Sequence, residues 1–377
     1  MIYLDYNATS PISPQVREAM LPYLTSEWGN PSSTYRFGSN LKAVVEAARQ
    51  QVATLIGATS SEILFTSGAS ESNSTAIHAA LKANPLKRHL ITSAVEHSSV
   101  LSYCRELQKD GFEVTYLPVD REGLIKLDGL EKAITGKTAL VSLIWANNET
   151  GVLFPVRDVG EICRSRGVLF HCDAVQVIGK TQVDLHELHA DYLSITGHKF
   201  NAPKGIGALY VRRKAPFSPL IHGGHQERGR RGGTENVAMI VGLGKAAELA
   251  AERLPLYDAK LQPLREALEQ GILSSISGTE LNGHADLRLP NTTNITFHGI
   301  QSEALLLLLD QEGVCASSGS ACLADSQEAS HVVVAMKPET CGVRSALRFS
   351  LGFEHNAGVI EETLRILKEC VAGLRSM

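Results

Sequence analysis

Two residues with cofactor chemistry lie at the ends of strand-like segments of the sequence. Lys199 follows the run 191–196 behind a glycine, and Asp173 closely follows the apolar start of the run 168–174. Open α/β sheets bind their ligands at the carboxyl ends of the strands. A partly desolvated lysine there can form a Schiff base, and an acid can keep a pyridine nitrogen protonated. Taken singly, a solvated loop lysine and a helix N-cap are ordinary alternatives.

A turn of small residues, Ser67-Gly68-Ala69-Ser70, follows the strand-like run 62–66 and opens a predicted helix. Such a turn offers free backbone N–H groups and hydroxyls to a phosphate. The segment is neither a Walker A loop nor a dinucleotide fingerprint. An ordinary capped helix start is an equally good interpretation of the turn by itself.

Polar residues end two further runs, with His97 after 89–93 and Asn148 after 139–146. An imidazole can lie over a cofactor ring and can move protons near neutral pH. A lone histidine is more often structural, so its position at a strand end is the argument for function. A lysine, an acid, an imidazole and a phosphate-binding turn at strand ends together predict a pyridoxal 5'-phosphate (PLP) enzyme, with the cofactor held covalently on Lys199.

Cys322 lies in the small-residue run 316–326, which predicts an exposed loop, and an exposed thiol is reactive. The other six cysteines are interpreted as buried apolar residues in a reducing compartment. Arg348, in the strand-like run 346–352, could bind a carboxylate with both guanidinium nitrogens, although a surface ion pair is the commoner role. No histidine or cysteine spacing indicates a metal site.

The elements that must position these residues alternate between strand and helix. Apolar, β-branched runs separated by helical stretches predict an α/β domain over 15–255 with a mostly parallel sheet. The pattern then changes to fewer strands with lone helices, among them a predicted helix at 256–276. We therefore expect a smaller α+β domain formed by 256–377 together with 1–14, whose dozen or so residues should pack near the domain junction.

The bulk composition excludes several classes of protein. The 377 residues carry a net charge of −4, which argues against direct nucleic-acid binding. The longest apolar runs are too short to span a membrane, and the sequence MIYLDYNATSP lacks the basic and apolar regions of a signal peptide. A cytoplasmic location is the expectation.

Taken together, these segments resemble the NifS/IscS-type cysteine desulfurases of the class V aminotransferase family and, nearly as closely, the selenocysteine lyases. Motifs matching the family occur in order along almost the whole chain: YLDYNAT (3–9), WGNPSS (28–33), FTSGASESN (65–73), VEHSSV (95–100), NNETG (147–151), HCDAVQ (171–176), GHK (197–199), GGHQERGRRGGTEN (223–236), SSGSAC (317–322) and LRFSLG (347–352). The resemblance implies the PLP-dependent transferase fold of type I, with a seven-stranded sheet in the large domain, and a homodimer.

The resemblance also implies a role for each site residue. Lys199 would form the Schiff base with PLP and shuttle protons, and Cys322 would take the sulfur of L-cysteine as a persulfide. The remaining roles concern cofactor and substrate binding: Asp173 at the pyridine nitrogen, Gln176 at the ring hydroxyl, His97 on the ring, Ala69, Ser70, Thr196 and His198 at the phosphate, Thr234 reaching the phosphate from the other subunit, and Asn148 and Arg348 at the substrate carboxylate.

The sequence departs from the usual family pattern at two places near the site. Gly68-Ala69-Ser70 stands where Gly-Gly-Thr is common, and Leu323-Ala324 stands where Thr-Ser usually follows the cysteine. Ser70 keeps the hydroxyl for the phosphate. A selenocysteine lyase and a non-catalytic protein with the same fold remain alternatives to a desulfurase. The sulfur acceptor is also open between iron–sulfur clusters, tRNA, a cofactor and modified DNA.

Overall fold

The computed structural model of the protein describes residues 1–319, 329–340 and 344–376. Twelve strands and twelve α-helices are assigned in this part of the chain, in the following order: β1 (Ile2–Tyr3), α1 (Pro14–Thr25), α2 (Arg36–Ser39), α3 (Leu41–Leu55), β2 (Ile63–Thr66), α4 (Ala69–Ala83), β3 (His89–Ser93), α5 (Ser98–Lys109), β4 (Glu113–Leu117), α6 (Leu127–Ala133), β5 (Thr138–Ile144), α7 (Val156–Arg166), β6 (Leu169–Asp173), α8 (Leu185–Leu188), β7 (Tyr192–Thr196), β8 (Gly207–Val211), α9 (Val237–Ser275), β9 (Thr279–Leu281), β10 (Thr292–Phe297), α10 (Ser302–Gln311), β11 (Val314–Cys315), α11 (His331–Met336), β12 (Ala346–Ser350) and α12 (Ala357–Arg375). No helix of the described residues combines the length and the apolar character that crossing a membrane requires.

A seven-stranded sheet of order β2-β8-β7-β6-β5-β3-β4 forms the centre of the large domain. Strands β7, β6, β5, β3 and β4 pair in parallel, while β8 is antiparallel to both of its neighbours. The sheet confirms the predicted mostly parallel α/β class. Its central strands are buried along their whole length, as expected when helices cover both faces of a sheet.

The helix α3 shows why the helices pack on this sheet. Its buried residues recur at helical spacing, as in Leu41, Val45 and Val52, and so form one apolar face. This face packs closely against α9. A Cβ atom on Gly244 of α9 would lie 2.7 Å from the Cα atom of Ala48, so only glycine allows the two helices to approach this far.

The remaining strands belong to a smaller unit. Strands β12, β10 and β9 form an antiparallel sheet, and β1 pairs in parallel with β11. The amino-terminal segment therefore packs with the carboxyl-terminal part of the chain. Arg348 lies in the middle of β12, opposite Asn294 of β10.

Helix α9 crosses the predicted domain boundary at residue 255 without a break, although the sequence pattern predicted a separate helix at 256–276. Pro255 lies inside the helix, where proline usually ends or kinks one, and the helix nevertheless continues to Ser275. The buried residues of α9 up to Ala250 pack in the core of the large sheet, and those from Tyr257 onward pack in the core of the small unit. The boundary itself remains a prediction.

A buried ion pair fixes the loop that precedes α9. Glu227 accepts two hydrogen bonds from Arg49, of 2.7 and 2.8 Å, and a third from the backbone N–H of Phe65 at 2.9 Å. Both side chains are almost fully buried. Glu227 has a φ angle of 49°, an unusual conformation for a residue other than glycine. The ion pair thus holds a strained loop to the edge strand β2.

We expect Glu227→Gln to lower the free energy of unfolding by about 3 kcal/mol, because the buried guanidinium of Arg49 then keeps only the partly exposed Glu46 as a counter-charge. The matched control is Glu362→Gln, which removes an exposed partner of Arg365 and should cost less than about 1 kcal/mol. Urea unfolding followed by circular dichroism measures both. Equal, small losses in the two variants would contradict the proposed role of the buried pair.

Candidate active site

A cavity of about 440 Å³ lies at the carboxyl edge of the large sheet, bordered by the amino-terminal segment and by β12. Strands β2, β3, β5, β6 and β7 all end at this edge. Ten of the twelve predicted site residues line the cavity: Ala69, Ser70, His97, Asn148, Asp173, Gln176, Thr196, His198, Lys199 and Arg348. Predicted residues from six separate segments of the sequence therefore meet at one place.

Lys199 ends a short 3-10 turn, Gly197–Lys199, directly after β7. The turn is tight, because a Cβ atom on Gly197 would lie 2.8 Å from the Cβ of Ala202. The Nζ of Lys199 donates to the backbone oxygens of Asn7 and Ala8 at 2.5 and 2.7 Å. The amino-terminal segment thus holds the lysine amine at the wall of the cavity.

The carboxylate of Asp173 is buried, with 2% of the residue exposed. It accepts a hydrogen bond from Asn73 of α4 at 2.8 Å and one from the backbone N–H of Val175 at 3.1 Å. Asn73 also donates to the hydroxyl of Ser99 at 3.0 Å. These bonds fix the orientation of the carboxylate in the cavity wall.

The same hydrogen-bond chain reaches His97. Its Nδ1 accepts from the backbone N–H of Ser99 at 3.2 Å and lies 2.8 Å from the Ser99 hydroxyl. Because Nδ1 is an acceptor, the neutral ring carries its proton on Nε2. Burial lowers the pKa of His97, and Lys199 and His331 lower it further, while Asp173 opposes this shift. The imidazole is therefore held neutral beside the cavity.

The amino terminus of α4 contributes a set of anion-binding donors. Gly68 is the N-cap and supplies no capping side chain, so the first N–H groups of the helix lack a side-chain acceptor from this position. Ser70, Thr196 and His198 line the cavity close to this helix end. Burial lowers the pKa of His198 to about 4, so its ring is neutral at physiological pH. Lys204 adds a positive charge to the same wall.

Arg348 is held in place at the opposite wall. Its guanidinium donates to the backbone oxygen of Asn148 at 2.8 Å and to the carboxylate of Asp5 at 2.5 Å. Its Nε is buried and has no hydrogen-bond partner among the described residues. The interpretation of this arginine as a surface ion pair is wrong, because only 1% of it is exposed.

Two predicted residues do not line this cavity. Thr234 is exposed and lines a neighbouring cavity of about 240 Å³, which shares Ser67 and Gly205 with the first. Cys322 lies outside the described residues. Ser317, five residues before Cys322, is close to the site, because it pairs with Arg348 through two backbone hydrogen bonds.

Asn7, Asn73 and Ser99 also build the site, and the sequence argument assigned none of them a role. Asn73 and Ser99 lie in helices next to the predicted motifs, so helical spacing from Ser70 offers a weak signal for Asn73. Asn7 lies at least 141 residues from every strand-end residue it contacts in the large domain. No local pattern could have linked them.

Comparison with known proteins agrees with this geometry. The aminotransferase class-V family model matches residues 2–362. The chain is 51% identical to cysteine desulfurase 2 of Trichormus variabilis, with 100% of this chain and 94% of the relative covered. It is 46% identical to the cysteine desulfurase NifS of Azotobacter vinelandii, with the same coverage. A solved NifS-like protein superposes with a TM-score of 0.93 at 37% identity, covering 99% of this chain and 100% of that one.

The chain therefore belongs to the aminotransferase class-V family, whose desulfurase members are PLP-dependent enzymes. Within that family it belongs with the NifS-type cysteine desulfurases.

Glu96 is an acid buried beneath the site. It is fully buried, accepts a hydrogen bond from the Ser93 hydroxyl at 2.6 Å, and has one oxygen without a partner in the described part of the chain. Burial raises its pKa to about 8, and the nearby charge of Asp173 adds to the shift. In the folded protein Glu96 therefore keeps its proton up to about pH 8. In the unfolded chain it loses this proton near the ordinary pKa of a glutamate.

Because only the folded state holds this proton between the two pKa values, the wild-type protein should lose stability as pH rises, by up to about 1.4 kcal/mol per pH unit. Glu96→Gln removes this loss. Its melting temperature should rise relative to wild type from about pH 5 to about pH 8 and then stay at a constant difference. Glu106→Gln, at an exposed position, is the control and should follow the wild-type profile. Parallel profiles for Glu96→Gln and wild type would show that Glu96 does not carry this proton.

Proposed function

We propose that this protein converts L-cysteine to L-alanine with bound PLP, moves the sulfur to Cys322 as a persulfide and passes it to an acceptor protein. The observation that carries the proposal is the meeting of Lys199, Asp173 and Arg348 around one cavity, with Ser317, five residues before Cys322, paired to the backbone of Arg348. The names of the relatives support the same reaction.

The donor set around the cavity fits PLP. The start of α4, with Ser70, Thr196 and His198, suits a doubly charged phosphate. Asp173 can hold a proton on the pyridine nitrogen, Lys199 can form the covalent bond, and Gln176 can donate to the ring hydroxyl. His97, held neutral by its burial, can lie against the ring. When bound, PLP withdraws electrons from the substrate Cα and makes the substrate sulfur open to attack.

Arg348 and Asn148 bind the substrate carboxylate in this proposal. The Asp5 carboxylate and the Asn148 carbonyl fix the guanidinium before substrate arrives. Such pre-organisation lowers the entropy cost of binding. The substrate Cα is then placed between Arg348 on one side and Lys199 on the other.

Lys199 handles the protons. Its amine is held by the carbonyl oxygens of Asn7 and Ala8, so it would remain beside the substrate Cα. It removes the proton from Cα and returns it to the product. The lowered pKa values of His97 and His198 make their rings weaker bases than the lysine amine.

Cys322 receives the sulfur. Its thiolate attacks the substrate sulfur, a new S–S bond forms, and the Cβ–S bond breaks with its electron pair left on carbon, which is protonated and released as alanine. Gly319 precedes Cys322 by three residues, and three residues of chain reach at most about 11 Å. A Cβ atom on Gly319 would lie 2.9 Å from the Glu149 carboxylate, so Gly319 lies directly against the residue that follows Asn148.

Cys322→Ser should lower alanine and sulfide formation from L-cysteine by at least about a thousandfold, because the attacking thiolate is lost. The visible absorbance of bound PLP should be unchanged, and borohydride should still fix the cofactor on Lys199. The control is Cys315→Ser, at the partly buried cysteine of β11, which should keep full activity. Normal turnover in Cys322→Ser would refute the desulfurase mechanism.

We further propose that the protein acts as a homodimer in which Thr234 of one subunit reaches the phosphate site of the other. Thr234 is exposed and lies outside the main cavity of its own chain. Trp28, 71% exposed, and Phe37, 40% exposed, contact each other edge to face on the surface. Exposed aromatic residues of this kind are typical of protein interfaces.

Mixed dimers test this arrangement. Thr234→Val should weaken PLP binding about tenfold or more through the lost hydrogen bond to phosphate, and Lys199→Ala should be inactive. After the two variants are mixed and allowed to exchange subunits, activity at limiting PLP should rise to about a quarter of the wild-type value. Each mixed dimer would then hold one site with an intact lysine and an intact threonine. Activity that stays at the sum of the separate variants would contradict a shared site.

A further inference from the structure

Lys180 is a buried lysine that the proposed reaction does not use. It lies four residues after Gln176 in the turn that follows β6, and only 3% of it is exposed. No carboxylate of the described residues forms an ion pair with it. Burial lowers its pKa well below the ordinary value, and the charges of Lys199 and Arg348 lower it further. A lysine in such surroundings costs stability, so another role must account for its presence.

The hydrogen bonds of Lys180 point to the site. Its Nζ donates to the side-chain oxygen of Gln176 at 2.8 Å and to the side-chain oxygen of Asn7 at 2.9 Å. A lysine amine that donates to both oxygens decides which way each amide is turned. The side-chain nitrogen of Gln176 consequently faces the backbone oxygen of Asn7 at 2.9 Å. Its second N–H hydrogen is left for the cavity that Gln176 lines.

Asn7 connects the same lysine to the catalytic amine. Its backbone oxygen accepts from Lys199 at 2.5 Å, while its side-chain nitrogen donates to Thr292 at 2.9 Å. Lys180 therefore contacts Asn7, which accepts a hydrogen bond from Lys199, and Gln176, which lines the cavity. No other described side chain donates to the Gln176 oxygen.

A third, small cavity of about 30 Å³ also borders Lys199. Lys180, Lys199 and Arg253 all line it, together with apolar and aromatic residues, and none of its described lining residues is an acid. No carboxylate in the described lining of this small cavity therefore balances the positive charge near Lys180. The polar atoms that Lys180 does contact are the amide oxygens on the cofactor side.

We infer that Lys180 is a positioning residue, which turns the Gln176 amide so that its N–H faces the ring hydroxyl oxygen of PLP. The inference rests on the role proposed above for Gln176. Without Lys180 only the hydrogen bond to the Asn7 backbone oxygen would hold this orientation, so the amide would turn more readily and present its oxygen to the ring oxygen, which is repulsive. A lysine that served only the fold would instead affect stability and leave cofactor affinity unchanged.

The test uses Lys180→Met, which keeps the length and apolar stem of the side chain and removes the donor. The dissociation constant for PLP, measured on the apo-protein by fluorescence quenching, should rise about tenfold. The melting temperature of the apo-protein should change little, because removing an unbalanced buried amine offsets the loss of a donor to the Gln176 and Asn7 side-chain oxygens. An unchanged dissociation constant, with or without a lower melting temperature, would overturn the inference.

The matched control is Lys337→Met. Lys337 is equally buried, but it donates to the carboxylate of Glu280 and to Asn282 at 2.8 Å, away from the cavity. This variant should lower the melting temperature and leave the dissociation constant for PLP at the wild-type value. It separates the effect of losing any buried lysine from the effect of losing Lys180.

A double-mutant cycle then tests the route of the effect. In a Gln176→Leu background, Lys180→Met should change the dissociation constant by less than about twofold, since the amide it positions is already absent. A full tenfold effect in that background would contradict an action through Gln176. Lys180→Gln, which keeps an N–H donor, is the second variant. Affinity within about threefold of wild type would support the inference, and a tenfold loss would oppose it.

These outcomes are distinct from a failure of the proposed function. PLP binding and alanine formation by the wild-type protein are measured first, and their absence would refute the desulfurase proposal whatever the Lys180 variants do. Normal wild-type behaviour with an unchanged Lys180→Met dissociation constant would refute only the positioning role.

Discussion

The hydrogen bonds of Asn7 hold the active site together. This single buried residue accepts from Lys199 and Gln176 through its backbone oxygen and from Lys180 through its side chain. On the other side it bonds to Thr292 and Ser350, at the ends of β10 and β12 in the small unit. Because each of these polar groups is buried, leaving any one unpaired would cost free energy. The segment between β1 and α1 is thereby fixed between the two sheets.

The arrangement explains how two walls built on separate sheets keep a constant geometry. One wall carries Lys199 and Asp173 on the large sheet, and the other carries Arg348 on β12. A substrate that must contact both Arg348 and Lys199 needs this separation to be held closely, since small displacements of reacting groups are costly in rate. Asn7 and the Asp5–Arg348 pair supply the connection from one short segment of chain.

Electrostatics divide the site into charged and neutral groups. Burial lowers the pKa values of His97 and His198 and raises that of Glu96 to about 8, so three titratable groups stay uncharged near neutral pH. The charges that remain at the cavity wall include Asp173, Lys204 and Arg348. This distribution suits a cofactor with an anionic phosphate, a protonated ring nitrogen and a substrate carboxylate.

The sequence alone determined the local part of this result. The five strand-like runs next to the predicted site residues all occur in the large sheet within two residues of their expected ends, because alternation of buried runs and amphipathic helices is a local property. Lys199, Asp173 and His97 could be found for the same reason, since a polar residue after a buried strand must lie at the sheet edge. The family resemblance then suggested the roles of Gln176 and Arg348.

Only the tertiary structure decided which groups orient these residues. Asn73 donates to Asp173 across 100 positions of sequence, and Lys180 donates to Asn7 across 173. The burial of Arg348 and the unbroken course of α9 through Pro255 also depend on packing between distant segments. Hydrogen-bond partners of this kind leave no spacing pattern in the chain. They exist because the fold brings buried polar groups together, and each must find a partner where water is excluded.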